Sequence, residues 1–311
     1  MIRYLARRLL LLLLVVWGVV TATFVLVHAT PGDPVLTYLG EKATPHTIAA
    51  LRHAWGLDQS LGAQYVRFVH DVATGNLGNS LFFHTTVMEL IEVRLPTTLL
   101  LMLVSMVFAV VISLPLATWI AVRGRGGNDL VVRIFNAVVL GMPAFFIGTL
   151  FIVLFGLRLQ WFPVGGYGTD FGEHLHSLVL PGLAVALGIV PLLVNSLRAS
   201  LTDALRSEFV SFAYSKGLPS RTVLSAYVIR NGSISAITLL GLQAGSLAGG
   251  ALVVENVFAL PGIGSMMMTG ILNRDFPVVQ SVTLIFAAIV VVVYLVTDIA
   301  YALLDPRAAL E

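Results

Sequence analysis

Two acidic side chains stand where water is scarce: Glu255 and Asp298 fall within or at the edge of long apolar runs. An ionisable group at membrane depth costs on the order of 2.5–3.5 kcal/mol on insertion scales, so it marks either a function or a specific pairing. Glu255, near one mouth of its run, is placed to meet a substrate amine or to make a structural hydrogen bond at a helix end, and both readings stay open. Asp298 reads as a helix-packing residue. The seven histidines are His28, His46, His53, His70, His84, His174 and His176. His174-x-His176 is the tightest pair, but that spacing is common in solvated loops, and no metal site is expected. The chain has no cysteine, which excludes disulfides and Cys-ligated zinc or iron–sulfur sites. No Ser/His/Asp spacing supports a nucleophile, and Asp298 has no second aspartate inside an apolar run to make an intramembrane protease. No G-x-x-x-x-G-K-[ST] loop is present. Pro261-Gly262-Ile263-Gly264 lacks the lysine and the strand-to-helix setting, and reads as a turn in a re-entrant outer loop. The chain is therefore expected to be no enzyme and to hold no cofactor of its own.

The elements around these residues must suit a bilayer. Of 311 residues, 58% are hydrophobic and 11% charged, whereas soluble domains carry roughly 25% charged residues. Six apolar segments are long enough to cross a ~30 Å hydrocarbon core as helices: 9–29, 97–122, 131–157, 178–197, 233–257 and 281–304. The first follows Arg7-Arg8 like a secretory signal, but it is too long for one and reads as a retained helix. With the N-terminus inside, twelve of the eighteen Lys and Arg lie on the inner segments: Arg3, Arg7, Arg8, Arg123, Arg125, Arg133, Arg198, Arg206, Lys216, Arg221, Arg230 and Arg307. The longer outer segments hold Lys42, Arg52, Arg67, Arg94, Arg158 and Arg274. The positive-inside rule favours this orientation, with both termini cytoplasmic. All seven histidines then lie in the outer half.

Pro115, Pro143, Pro181 and Pro191 punctuate the spans and are read as packing kinks or as hinges. Gly241, Gly245 and Gly249 recur at i, i+4, i+8, placing three thin positions on one face of the fifth span. A second helix can approach closely there, from this chain or from a second subunit on the translocation path. The outer segment 30–96 is too long for a turn. Leu57, Leu61, Tyr65, Phe68 and Val69 have helical spacing, and Gly75-Asn76 and Gly78-Asn79 are turn signals. A small, mainly helical cap is expected, serving to contact a delivery protein or to shield the helix ends.

The longest inner loop is 198–232. Leu201, Leu205, Phe209 and Phe212 recur at i, i+4, i+8, i+11 as one apolar stripe. Gly217 suits a helix C-cap, and Lys216 a last turn that favours cations. A second short helix is expected from Pro219-Ser220 to Arg230. This helix–Gly–helix lies at the inner face, and its stripe needs a partner: the membrane surface, the bundle or another protein.

The run from Glu208 to Gly217, followed by Arg230-Asn231, resembles the EAA loop of ABC importer permeases. That pattern of two small residues, three variable ones and Gly reads here Phe212-Ala213-Tyr214-Ser215-Lys216-Gly217, with Phe at the first small position and Ser235 where a proline usually follows. The ends, Tyr4-Leu-Ala-Arg7-Arg8 through Pro31-Gly32-Asp33-Pro34 and Asp298 through Tyr301 to Asp305-Pro306-Arg307, resemble dipeptide/oligopeptide (and nickel) permeases. So do Gly56-Leu-Asp58, Gln64-Tyr65, Gly78-Asn-Ser80, Arg94-Leu-Pro96-Thr-Thr98, Glu255-Asn-Val-Phe258, Pro261-Gly262 and Asn273-Arg274-Asp275-Phe276-Pro277.

The resemblance covers nearly the whole chain. It implies an all-α polytopic protein with six transmembrane helices and type I ABC importer permease architecture. Its first helix and extracytoplasmic cap would span 1–93, its permease core 94–304 and its cytoplasmic tail 305–311. It implies a docking loop for a separate ATPase at Glu208, Phe209, Phe212, Ala213, Lys216, Gly217, Arg230 and Asn231, and a translocation path near Gly241, Gly245, Gly249 and Glu255. The implied partners are a second, homologous permease subunit, two ATPase subunits that bind ATP-Mg, and an extracytoplasmic solute-binding protein, in a prokaryotic plasma membrane. Peptides, nickel or another small solute are the implied cargoes. A secondary transporter is the rival; it would show an inverted internal repeat, which is not evident, and would leave the large amphipathic inner loop unexplained.

Overall fold

The computed structural model describes residues 2–29, 34–39, 43–123, 127–232 and 234–304. Pro31-Gly32-Asp33, Lys42, Arg125 and the tail 305–311 lie outside the described residues, as do the side chains of Arg3, Arg7, Arg8 and Asp298. Among the described residues the chain is helical, without strands. The helices run α1 Ile2–Ala29, α2 Pro34–Leu39, α3 Pro45–Trp55, α4 Leu61–Ala73, α5 Val87–Arg123, α6 Gly127–Leu140, α7 Ala144–Phe151 and α8 Phe171–Leu187. They continue as α9 Val190–Leu205, α10 Glu208–Ser215, α11 Ser220–Thr222, α12 Arg230–Gly232, α13 Ile234–Leu242, α14 Ala244–Val257, α15 Ile263–Leu272 and α16 Phe276–Leu304. Two wider π-helical stretches, Ile152–Arg158 and Val223–Ile229, follow α7 and α11.

All six apolar segments fall on helices, but not all are straight. Val87–Arg123 and Phe276–Thr297 are long and apolar enough to cross a membrane alone. Counting each sharply bent pair as one span raises the number to four. The third segment breaks by 100° between Leu140 and Ala144. Pro143 there caps α7 at φ −62° and has no N–H to continue the helix before it. The fourth bends by 59° between Leu187 and Val190, where Gly188-Ile189 ends α8 and Pro191 sits in the first turn of α9. Pro143 and Pro191 therefore mark breaks, whereas Pro115 and Pro181 lie inside continuous helices. The fifth segment is interrupted at Gln243. In α1 the apolar part with described side chains is Leu13–Ala29.

The chain forms two compact units. One comprises 97–261 and 290–311; the other comprises 2–96 and 262–289. In the second unit Val87, Ile91, Ile263, Met266, Val278 and Val282 are buried together. The expected cap is helical. Thr44 opens α3 with a full capping box, and Gly56 closes it at φ 71°, a left-handed geometry that glycine adopts at little cost. Gly75 and Gly78 have φ 79° and 77°, so the Gly-Asn pairs do make turns. Tyr65 and Phe68 of α4 reach Phe24 at ring distances of 5.3 and 5.8 Å, and the Tyr65 hydroxyl lies 2.7 Å from Thr21 Oγ1. The next loop is held by Asp275, which is fully buried and accepts from Ser80 Oγ at 2.5 Å and from the Phe82 amide at 3.0 Å.

In the first unit, Ala117, Leu197, Leu201, Ala204, Val210, Ala213, Val223, Val228 and Ala236 form one apolar core. It packs the C-terminal end of α9 against α10 and the π-helical stretch, and it carries the loop that the sequence singles out.

Candidate functional site

The loop begins with a correction. The stripe Leu201–Leu205–Phe209–Phe212 assumes one helix, but α9 ends at Leu205 and α10 starts at Glu208. Arg206 and Ser207 form the break, where Ser207 Oγ donates back to the Ala204 carbonyl at 2.5 Å. Ser and Asp compete with helical hydrogen bonds in this way. The interruption changes which residues of α10 face inward. Val210 and Ala213 are buried at 1% and 3% exposure, continuing from Leu201 and Ala204, while Phe209 and Phe212 are left 43% and 61% exposed.

The far end of α10 is closed by a Schellman motif. Gly217 has φ 75°; its amide donates to the Tyr214 carbonyl at 2.9 Å, and that of Leu218 to the Ala213 carbonyl at 3.4 Å. Both bonds satisfy carbonyls that would otherwise be orphaned at a helix end, and Leu218 packs on the core with Ala213, as the motif favours. Lys216 Nζ stands 4.6 Å above the Phe212 ring, a cation–π contact. Pro219 at φ −67° opens the second helical stretch, as expected, and that stretch runs on through Arg230 to Gly232. Arg230 and Asn231 are exposed on it, and Asn231 Nδ2 donates to the Tyr227 carbonyl at 2.6 Å.

Glu208, Phe209, Ser211, Phe212 and Ser215 thus line a shallow open depression on α10. Its floor is a helix fixed from behind by Val210 and Ala213. The structure brings Glu208, Phe209, Phe212 and Lys216 onto this surface, while Ala213 belongs to the anchor. Gly232 was not singled out by the sequence. A Cβ there would lie 2.6 Å from Leu201 Cδ2 and 3.3 Å from its Cα, so α12 meets α9 closely and a larger residue would have to displace the buried Leu201 side chain. A small residue beside Asn231 in a polar loop carries no periodic signal to find it.

The path residues separate. The break at Gln243 parts Gly241 from Gly245 and Gly249, so the three do not form one packed face. A Cβ at Gly241 would meet the Thr297 side chain at 2.5 Å, whereas Gly245 and Gly249 have nothing within 4 Å. Glu255 is fully buried, and its Oε1 accepts from Thr98 Oγ1 at 2.5 Å. Of its two readings, the structural hydrogen bond is the one this packing supports.

Several histidines find ordinary partners. His174 stacks on Tyr167 with centroids 4.0 Å apart, and His176 Nε2 lies 3.2 Å from the Trp161 carbonyl. His53 Nδ1 pairs with Asp58 at 2.7 Å. The hydrogen bond that the ring donates to that carboxylate, with the carboxylate's charge, raises the His53 pKa above its ordinary value, and the same bond lowers that of Asp58. At the start of α8, hydrogen bonds from Thr169 hold Glu173 below the usual carboxylate range. Among the described residues no group of three or more His, Cys, Asp and Glu is placed to hold a metal ion.

A helical chain with several apolar helices, two of them long enough to cross a membrane alone, has the make-up of a membrane component. The chain belongs to the binding-protein-dependent transport system inner membrane components: the model of that family matches residues 113–310, and the model of its N-terminal region matches residues 1–103. It is a permease subunit of the ABC importer type. It is similar to a dipeptide transport system permease protein of Lactococcus lactis subsp. cremoris, 32% identical with both chains covered in full. It is 34% identical to an oligopeptide transport system permease protein of Bacillus subtilis, over 99% of each chain. It is 32% identical to a glutathione transport system permease protein of Salmonella paratyphi A, over 98% of each.

Proposed function

We propose that this chain forms half of the path through which an ATP-driven importer carries dipeptides or oligopeptides across a prokaryotic plasma membrane, and that α10 is where a separate ATPase docks. The carrying observation is the split of α10. Val210 and Ala213 tie it into the core, while Phe209 and Phe212 remain outside with Glu208 and Lys216 beside them. Uncovered aromatic side chains on a rigid support are what a partner's cleft needs as anchors. Arg230 and Asn231 extend that surface. The names of the relatives support peptide cargo, and glutathione is itself a tripeptide.

The rest of the assembly follows from this reading. The chain crosses the membrane six times, counting the broken spans, with both termini in the cytoplasm as the lysine and arginine distribution favours. Residues 1–93 supply the first helix and outer cap, 94–304 the permease core and 305–311 a cytoplasmic tail. This subunit is not catalytic. ATP-Mg is bound and hydrolysed in two partner ATPases, a second homologous permease completes the path, and a solute-binding protein delivers cargo outside. The exposed Gly245 and Gly249 suit close approach by a helix of the second permease. The test is the whole complex in proteoliposomes, with hydrolysis and peptide uptake measured together. Phe212→Asp should lower uptake per ATP hydrolysed while the protein still inserts. Normal uptake in that variant would sink the docking assignment, and failure of the intact complex to take up peptides would sink the cargo.

A further inference from the structure

The apolar helices of the first unit hold a pair of amides that nothing above uses. On α6 only Val132, Asn136 and Val139 are buried among residues 130–140, so Asn136 sits at the centre of the one face that α6 turns inward, at 5% exposure. Its Nδ2 donates to Asn195 Oδ1 on α9 at 3.3 Å. Its own Oδ1 has no hydrogen-bond partner within the chain. An asparagine amide can be turned over to exchange its two ends, but the exchange does not remove the problem. With both amides reversed, Asn195 donates to Asn136 Oδ1 and it is the Asn136 Nδ2 that lacks a partner. Either way one end of a buried amide remains unmatched, which is costly enough that native structures rarely tolerate it without cause.

Asn195 is the outlet. It is exposed on α9 between Leu192 at i−3 and Ala199 at i+4, with the half-buried Arg198 beside it at i+3. Counting at about 1.5 Å per residue, Asn136 is about 14 Å along α6 from Gly127, and Asn195 about 15 Å along α9 from Leu205. Both amides therefore lie inside apolar segments but near their ends, Asn136 five residues into 131–157 and Asn195 two residues before the end of 178–197. Both helices also abut a break: α6 runs into the 100° bend and α9 emerges from the 59° bend. Polar groups within an apolar segment favour a cavity or a partner over lipid. Ser113 Oγ is also buried without a partner, but a serine hydroxyl in a helix can turn to its own i−4 carbonyl, so it says less.

We propose that Asn136 and Asn195 form a polar station on the translocation path, where the exposed Asn195 carboxamide hydrogen-bonds the main-chain amide of a passing peptide while the buried Asn136 positions it from behind. This rests on the peptide-importer reading. A carboxamide offers a donor and an acceptor without charge, which matches a peptide bond whatever side chains flank it. Recognition of that kind suits a path that passes peptides of varied sequence. The alternative is that the pair only glues α6 to α9.

The test uses the complete complex in proteoliposomes with two cargoes: a tripeptide, and the same tripeptide N-methylated at its central amide. Asn136→Leu and Asn195→Ser are each compared with the unmodified protein. The expected result is a fall of about tenfold in tripeptide uptake for either variant, with less than a twofold change for the N-methylated cargo. That difference is the coupling a double-mutant cycle reads. An equal fall for both cargoes assigns the pair to helix packing and overturns the proposal, as does no fall for either. Because Asn195 is exposed, Asn195→Ser gives the answer even if Asn136→Leu does not accumulate. No uptake of the tripeptide by the unmodified complex refutes the importer reading instead.

Discussion

Truncating Phe212 to alanine isolates the docking role of α10 from its folding. Phe212 is 61% exposed, so of the roughly 200 Å² an aromatic side chain offers, about 120 Å² is available to a partner. Covering that area at about 25 cal/mol per Å² is worth about 3 kcal/mol. Alanine retains part of the contact and association has its own costs, so the expected loss is about 2 kcal/mol, or roughly 30-fold in affinity for the ATPase. Phe209, 43% exposed, should lose about tenfold by the same reasoning. The variant itself should fold normally, because Phe212 contributes to the subunit mainly a surface contact with Lys216, worth about 0.5 kcal/mol. The assay is titration of purified ATPase onto the permease pair in nanodiscs, reading the concentration that half-saturates hydrolysis. Half-saturation within twofold of the unmodified protein for both Phe209→Ala and Phe212→Ala would refute the argument, since exposed area on a docking helix cannot be covered without effect.

Other expectations follow from named contacts. Gly232→Ala should destabilise the subunit by about 1–3 kcal/mol through overpacking against Leu201, read as a lower unfolding midpoint in detergent; an unchanged midpoint contradicts the close approach of α12 and α9. Thr98→Val removes a donor from the buried Glu255 carboxyl and should cost about 1–3 kcal/mol. Combined with Glu255→Leu it should cost less than the two separate losses together, and strict additivity would deny the pair. Asp58→Asn should bring the raised His53 pKa back toward its ordinary value, as seen by NMR of the histidine ring; an unmoved titration would disprove the pairing. The pair's small contribution is present in full below the unfolded histidine pKa and is lost as pH rises through the raised folded one. On the acid side it is lost as pH falls through the lowered pKa of Asp58.

Hydropathy was enough to place the apolar segments on helices, because a run of twenty apolar residues has few alternatives to a helix. It was blind to where those helices break. The 100° bend at Pro143 and the uninterrupted helix through Pro181 carry the same residue type and differ in what surrounds it. The Gly-Asn turns and the Gly217 cap were legible because a positive φ has a strong residue preference. The stripe Leu201–Leu205–Phe209–Phe212 fails for a specific reason: helical spacing counts residues, and the break at Arg206-Ser207 exchanges the faces without disturbing the count. Asn136 left no trace in the sequence, since one amide in an apolar run has no spacing to recognise, and its meaning depends on Asn195, 59 positions away.

The bond between Thr98 and Glu255 joins residues 157 positions apart, and the ribosome makes them in a fixed order. Synthesis at ~5–20 residues per second puts the donor roughly 8–30 s ahead of the acceptor. The hydroxyl can wait without harm, because a threonine in a helix bonds its own backbone. The carboxyl cannot wait so cheaply, and it arrives last, when its partner's helix is already made. The reverse order would leave an acidic group stranded during insertion. The chain's direction of growth therefore protects the most awkward residue in its core.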